Sequence, residues 1–422
     1  MHIVFVHQNM PAQYVHIANH FAQQRGSKVS YFTKNKQEPL PNVRKVKYEL
    51  SRQAKREGHP YILGMDSHIL YGQAVARTMM EYVKTTGKPD VICVHPGWGE
   101  GLFLRDVLPD TPILSYGEFY YNGRGSDIDF KNGDQTDIDA ICGARVRNSH
   151  LTLSLEAADW AVSPTEWQFR QHPDFVRRKA SIIHDGIRSN ICVPDDDATI
   201  ILPNGRVLSR DDEIVTYIAR NLEPYRGFDV FMEAAEQIHK RRPNAHILCV
   251  GGDEVSYGAA PRNAPNWRSL MLAKAKGVDP ERIYFTGRVP YSYYLKAVQV
   301  SRVHVYLTYP FVLSWSFLET MSCGGVIVGS RTPPVEEVLV EGENGIYTDF
   351  FNKDEIVEKV CMLLEDEEQR RHLSQGARRT ILERYDLDTV CLPNQIDLVE
   401  RVAARNFPEP GDYTGQMNGA ET

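Results

Sequence analysis

The chain has 422 residues, 42% hydrophobic and 24% charged, with a formal net charge of −7. That is the make-up of a globular protein of two or three domains, and its charge balance gives no electrostatic case for nucleic acid as a partner. No run approaches the ~18 apolar residues that span a bilayer. The opening MHIVFVHQNMP lacks the basic region and small-residue cleavage site of a signal peptide and reads as a buried strand. The seven cysteines are odd in number, scattered and without a CxxC pair. They point to reduced core thiols in a cytoplasmic setting, not to a disulfide or zinc framework.

In chain order, short β-rich apolar runs occur at 2–7 (HIVFVH), 28–32 (KVSYF), 90–95 (DVICVH), 112–117 (PILSYG), 159–163 (DWAVS) and 180–187 (ASIIHDGI). Helix-length segments separate several of them, among them His68–Thr85 and Asp137–Ala158. Residues 188–212 read as a junction, where Asn204-Gly205 between two short apolar runs signals a hairpin. The second half repeats the alternation, with runs at 213–219, 246–252, 283–287, 303–308, 326–330 and 345–349. Within Arg226–Arg241, the residues Phe228, Phe231, Ala235 and Ile238 recur at helical spacing and form one apolar stripe. Continuous apolar strands separated by helices predict parallel sheets buried on both faces. Two such series predict an α/β protein of two Rossmann-like doubly wound domains facing across a cleft. The expected divisions are 1–190, 191–390, a C-terminal helix over 391–405 and a flexible polar tail over 406–422.

Ligands of open α/β sheets bind beyond the carboxyl ends of the strands, at helix N-termini. After the first strand of the second half, ARNLEPYRGFD places Arg220 and Arg226 around a Pro-containing turn that opens a helix. Two guanidiniums there suit a diphosphate; the competing reading is two solvated surface arginines. Gly251 and Gly252 either let backbone approach a ligand closely or simply make a tight turn. Glu319, alone in YPFVLSWSFLETMSCGG, either meets a ligand or closes a capping box with Ser316. His95 and Trp98, in VHPGWGEG, either touch a sugar or pack. Glu336-Glu337 is read most simply as charge at a helix N-terminus. Gly123-Arg124-Gly125 follows EFYYN, not a strand-to-helix turn, and is discounted as a dinucleotide fingerprint. No DxD stands at a strand end and no metal constellation appears, and Asp195-Asp196-Asp197 reads as a solvated turn.

The ordered series ARNLEPYRGF, ILCVGG, IYFTGRVPYSYYLKAVQVSRVHVYLTYPF, SWSFLETMSCGGVIVGS and VEEVLVEGENGIY resembles the donor-binding domain of retaining GT-B glycosyltransferases of family 4. HQNMPAQY, ADWAVSPTEW and IIHDGI are similar to the same family's N-terminal domain, so the resemblance covers roughly residues 2–400. It implies a GT-B fold whose first domain takes the acceptor and whose second takes a UDP- or GDP-sugar as co-substrate, with no bound cofactor or metal. The C-terminal helix would cross back to the first domain. It implies a glycan, lipid-linked or protein acceptor, work in surface-glycan or glycoconjugate assembly, and a cytoplasmic location with room for peripheral association at the inner face of the membrane.

Carried over by position, Arg220 and Arg226 bind the diphosphate, although the spacing between them is one residue longer than usual. Arg288 and Val289 hold the base through backbone groups, beside Gly251 and Gly252. Glu319 matches the second Glu of an E-x7-E motif and binds the ribose. The amides of Leu313, Ser314 and Trp315 face the phosphates. Ala12 and Gln13 lie in the loop from Asn9, usually glycine-rich, near donor phosphate and acceptor. Two positions depart from the family pattern: Phe311 stands where the first Glu belongs, and Glu118 stands where a His is common. A carboxylate moved to Glu118 would then serve the reaction. Other readings are a nucleotide-sugar epimerase of GT-B-like fold and a non-catalytic subunit that binds a nucleotide or glycan. An NAD oxidoreductase is disfavoured because neither half opens with G-x-G-x-x-G.

Overall fold

A computed structural model describes residues 1–55, 57–409 and 412–413. The chain divides into two compact units. The first is Met1–Gly186 with the segment from Asp388 onward, and the second is Ile187–Leu387. The division expected near residue 190 falls at Gly186, and the one expected at 390 falls at Leu387.

The first unit is built on β1 (His2–Val6), β2 (Lys28–Thr33), β3 (Val43–Lys47), β4 (Val91–Val94), β5 (Ile113–Tyr116), β6 (Trp160–Ser163) and β7 (Ala180–Ile182). Their order is β3-β2-β1-β4-β5-β6-β7, and every pair is parallel. Val4 of β1 stands opposite Ser30 on one side and Ile92 on the other. Side chains alternate across a strand. Ile3 and Phe5 therefore pack on one face with Ile17 and Phe21 of the helix Val15–Gln23 and with Leu398, Val399 and Val402 of the helix Leu392–Ala403. Val4 and Val6 pack on the other face with Tyr71, Val75 and Met79 of the helix Leu63–Thr86. Each such side chain, once fully buried, stabilises the fold by about 1.5–3 kcal/mol.

The C-terminal helix thus belongs to the first unit's core. Of the expected tail, 406–409 and 412–413 are described; Phe407 stacks on Trp160 with ring centroids 6.0 Å apart, and the Tyr413 hydroxyl donates to Asp397. The rest of that segment lies outside the described residues.

The second unit opens with the antiparallel hairpin β8 (Thr199–Ile201) and β9 (Val207–Ser209), with Gly205 of the anticipated Asn-Gly pair in its loop at φ 84°. Its sheet comprises β10 (Ile214–Asn221), β11 (His246–Gly252), β12 (Ile283–Phe285), β13 (Val303–Tyr306), β14 (Ile327–Ser330) and β15 (Ile346–Thr348). The order β12-β11-β10-β13-β14-β15 is the doubly wound Rossmann arrangement. The stripe Phe228, Phe231, Ala235 and Ile238 is fully buried on the helix Phe228–Arg241. In each unit the strand order reverses beside the first strand, between β1 and β4 and between β10 and β13.

Three sequence expectations need correction. The segment Asp137–Ala158 is two helices, Ile138–Arg147 and Ser149–Ala157. They part at Asn148, whose side chain accepts from the Tyr121 amide and donates to its carbonyl. β3, VRKVK, was not anticipated, because its alternating charges fit an edge strand and not a continuous apolar run. Glu336 falls in the first turn of the four-residue helix Pro333–Glu336, as expected, but Glu337 is its C-cap and not an N-terminal charge.

Candidate active site

In the second unit β10 runs out through Arg220 and Asn221 into the turn Glu223–Gly227. Gly227 has φ 71°, and a Cβ there would meet the Leu307 side chain at 2.5 Å, so glycine is required. The turn directs Arg226 inward, to 7% exposure. Its guanidinium donates to Thr308 Oγ1 (2.5 Å), the Tyr306 hydroxyl (3.3 Å) and the Val312 carbonyl (3.0 Å), and lies 5.3 Å from the Tyr257 ring centroid. The solvated-surface reading therefore fails for Arg226. Arg220 is exposed. Both arginines line one cavity at the switch between β10 and β13, together with Tyr257, Tyr306 and Ser314 and Ser316 at the N-terminus of the helix Trp315–Ser322.

Several supports of this cavity were not read from the sequence. The Glu223 carboxylate, 1% exposed, accepts from the amides of Ser256 (3.1 Å), Tyr257 (3.2 Å) and Gly258 (2.9 Å). Three charge-assisted bonds pin the loop after β11 and with it the Tyr257 ring. Asn221 donates to the Ser256 hydroxyl at 2.7 Å and accepts from Arg288 at 3.3 Å; Arg288 also pairs with Glu254. A Cβ on Gly252 would meet Asn221 Oδ1 at 2.5 Å, which is why β11 ends in glycine there, beside Gly251. Val289, next to the exposed Arg288, is half-buried.

The opening of the helix Trp315–Ser322 differs from expectation. Its N-cap is Ser314, and the Ser314 amide and hydroxyl both donate to the Tyr306 oxygen, at 3.0 and 3.1 Å. Leu313 is buried and Trp315 is 44% exposed. Glu319 forms no capping box with Ser316; its two oxygens accept from Tyr291 (2.8 Å) and Tyr294 (2.7 Å). Phe311 is buried with its ring centroid 5.3 Å from Tyr225 and 5.1 Å from Tyr257. An aromatic cluster thus occupies the place where a carboxylate was sought, and it backs the ring that lies over Arg226.

In the first unit the corresponding switch gathers four of the expected residues. Gln13 Nε2 donates to Glu118 Oε1 at 3.0 Å, and His95 Nε2 lies 3.4 Å from Glu118 Oε2. The Gly97 amide donates to His95 Nδ1 at 3.1 Å, which leaves Nε2 as the ring nitrogen facing Glu118. Trp98 stacks on His95 with centroids 4.9 Å apart, and His7 lies 4.8 Å from His95. Burial pushes the Glu118 carboxyl up, but the hydrogen bond and charge of His95 and the amide of Gln13 together hold it below its ordinary value. Burial, then the neighbouring His95, pulls His7 well below the ordinary histidine range. Ala12 turns this loop with φ 43°, a left-handed conformation in place of the family's glycine. A larger cavity, about 670 Å³, begins at Gly97 and runs between Tyr61, Met65, Ala144 and Arg147. Among the described residues no three His, Cys, Asp or Glu side chains cluster as metal ligands would, and no helix is long and apolar enough to cross a membrane.

Comparison with known families gives matches over both halves of the chain. Residues 25–192 match the family model described as Glycosyl transferase family 4 group, and residues 204–380 match Glycosyl transferases group 1. By both halves, the chain belongs to the GT-B glycosyltransferases. The fold agrees. Sucrose-phosphate synthase from Thermosynechococcus elongatus superposes with a TM-score of 0.72 at 16% identity, over 96% of this chain and 100% of that one. Anabaena HepE in complex with UDP-glucose superposes at 0.65 and 13% identity, over 96% and 100%. Among curated relatives of this GT-B chain, the N-acetyl-alpha-D-glucosaminyl L-malate synthase of Bacillus anthracis is 29% identical over 59% of this chain and 62% of its own. The D-inositol 3-phosphate glycosyltransferase of Corynebacterium efficiens is 24% identical over 47% and 49%. The GT-B chain therefore spans less than two thirds of the curated relatives it matches.

Proposed function

We propose that this GT-B glycosyltransferase moves a hexosyl group from a nucleotide diphosphate sugar to an acceptor hydroxyl, with retention at the anomeric carbon. The observation that carries the proposal is the cavity shared by Arg226, Arg220 and the N-terminus of the helix Trp315–Ser322. The fixed positive charge of Arg226, the exposed one of Arg220 and a helix terminus meet charge that grows on a departing diphosphate. HepE bound to UDP-glucose supports a uridine donor.

In this reading the second unit holds the donor. Arg226 is the pre-oriented clamp, locked by Thr308, Tyr306 and Val312, and Arg220 is the exposed outer charge. The backbone at Arg288 and Val289 meets the base, with Gly251 and Gly252 allowing close approach, and Glu319 meets the ribose through lone pairs that the two tyrosines leave open. The amides of Leu313 and Trp315 serve the phosphates, while Ser314 serves them through its neighbours, since its own amide is engaged. The first unit takes the acceptor, with Ala12, Gln13, His95 and Trp98 lining its place. Glu118, kept ionised by His95 and Gln13, receives sugar hydroxyls in place of a carboxylate at 311. Retention rests on the likeness to family 4. A place in glycoconjugate or surface-glycan assembly, on cytoplasmic substrates, likewise rests on the likeness to family 4.

A thermal-shift panel of UDP-glucose, UDP-N-acetylglucosamine and GDP-mannose tests the donor class, because a ligand that binds only the native state raises the melting temperature. At least one should raise it, and product analysis with that donor alone should show no epimerised sugar. Stabilisation by none of them, or epimerisation without an acceptor, contradicts the proposal.

A further inference from the structure

The second unit has another cavity, of about 570 Å³, that shares no residue with the one above. Arg302 stands immediately before β13, and Val326 immediately before β14. This cavity therefore lies at the amino ends of the sheet, whereas Arg220 and Arg226 lie at and just beyond the carboxyl end of β10. Four arginines line it (Arg210, Arg302, Arg370 and Arg371) against the carboxylates of Asp196, Asp211 and Glu367.

The inner two are fixed by carbonyl oxygens. Arg302 donates to the carbonyls of Arg210 (2.8 Å) and Asp211 (3.0 Å), and Arg370 to those of Leu363 (2.5 Å) and Leu364 (2.9 Å). Carbonyls orient a guanidinium without cancelling its unit charge. Among the described residues neither forms an ion pair. Burial, then the charge of Arg302, pulls the Arg370 guanidinium below its ordinary value. The outer two do have partners, but in water: Arg210 lies 3.6 Å from Asp196, whose side chain is 94% exposed, and Arg371 2.8 Å from Glu367, which is 73% exposed. Such exposed pairs are weak and exchange readily for a better anion.

We propose that this cavity binds a compact oligoanion, a small molecule carrying one or two phosphates. Arg302 and Arg370 form the inner clamp, and Arg210 and Arg371 close over the outer oxygens by leaving their surface partners. The volume falls within the range of small-molecule sites, ~300–1,000 Å³. The site is independent of glycosyl transfer: it sits at the end of the sheet opposite the donor cavity and would serve an effector, not the reacting diphosphate.

Titration calorimetry of the full chain with inorganic pyrophosphate tests this, using Arg220→Ala as background to weaken binding at the donor cavity. One pyrophosphate should still bind per chain. Adding Arg371→Glu, a change at an exposed position, should weaken that binding at least tenfold with an unchanged melting temperature. Arg302→Gln should weaken it as well; should that variant melt earlier because its carbonyl contacts matter, the Arg371 variant decides alone. No binding in the Arg220→Ala background, or a loss smaller than tenfold on Arg371→Glu, overturns the proposal.

Discussion

Arg220 and Arg226 look alike in sequence but are physically different groups. Removing the Arg226 side chain leaves the buried Thr308 hydroxyl and Val312 carbonyl without their donor, at a cost of about 1–3 kcal/mol. Arg226→Ala should therefore lower both stability and donor affinity, seen together in urea titrations with and without nucleotide sugar. Arg220 is exposed, so Arg220→Ala should leave stability within about 0.5 kcal/mol and weaken donor binding alone. Glu118 makes a separate prediction. Its folded pKa is depressed, so its stabilisation is fully present above its ordinary value of 4.5 and is lost as pH falls through the lower folded value. Glu118→Gln should remove that acid-side dependence and lower turnover sharply; an unchanged rate would remove Glu118 from the chemistry.

At the scale of elements, the turn between β10 and the helix Phe228–Arg241 fixes the cavity lined by Arg220 and Arg226. Gly227→Ala puts a Cβ into Leu307 at a left-handed φ, which costs about 1–3 kcal/mol. Because Arg226 precedes it, donor affinity should fall by tenfold or more even where the variant stays folded, as calorimetry would show. This turn was legible in the sequence: a strand, a Pro, an Arg and a Gly in order. So were the buried strands, whose runs are apolar because both faces are covered. The charged edge strand β3 was not legible, since its alternation gives no continuous run. Nor was the break at Asn148, which depends on Tyr121, 27 positions away. The site divides in the same way. Residues that follow strands could be found by position alone. Glu223, Tyr257 and Tyr306 could not, because their work is done on groups 33 to 80 positions distant. Phe311 was recognised as a missing carboxylate but not as part of an aromatic cluster, for the same reason.

At the scale of the whole molecule, acid should be the weak side. Burial lowers the pKa of His150, His172, His184 and His239 to about 4 and of His304 to about 3. Unfolding returns them to near 6.5, so below that pH the unfolded chain binds more protons. Stability should thus fall steadily from pH 6.5 to 4 in urea titrations. Glu100 works the other way. Burial raises it to about 7, so its contribution weakens as pH rises from 4.5 to 7, and Glu100→Gln should gain stability above neutrality. A flat profile between pH 6.5 and 4 would mean that these histidines are not held neutral. The two units repeat one plan, a sheet whose strand order reverses beside its first strand, with a group of polar side chains at that reversal.

The most direct test of the central claim, that the switch of the second sheet holds the diphosphate of a sugar donor, is calorimetric titration of the best nucleotide sugar into the natural chain and into Arg220→Ala. Binding should be saturable in the natural chain and at least tenfold weaker in the variant, with equal melting temperatures. Equal affinity in both, or no binding of any nucleotide sugar to the natural chain, would contradict the claim.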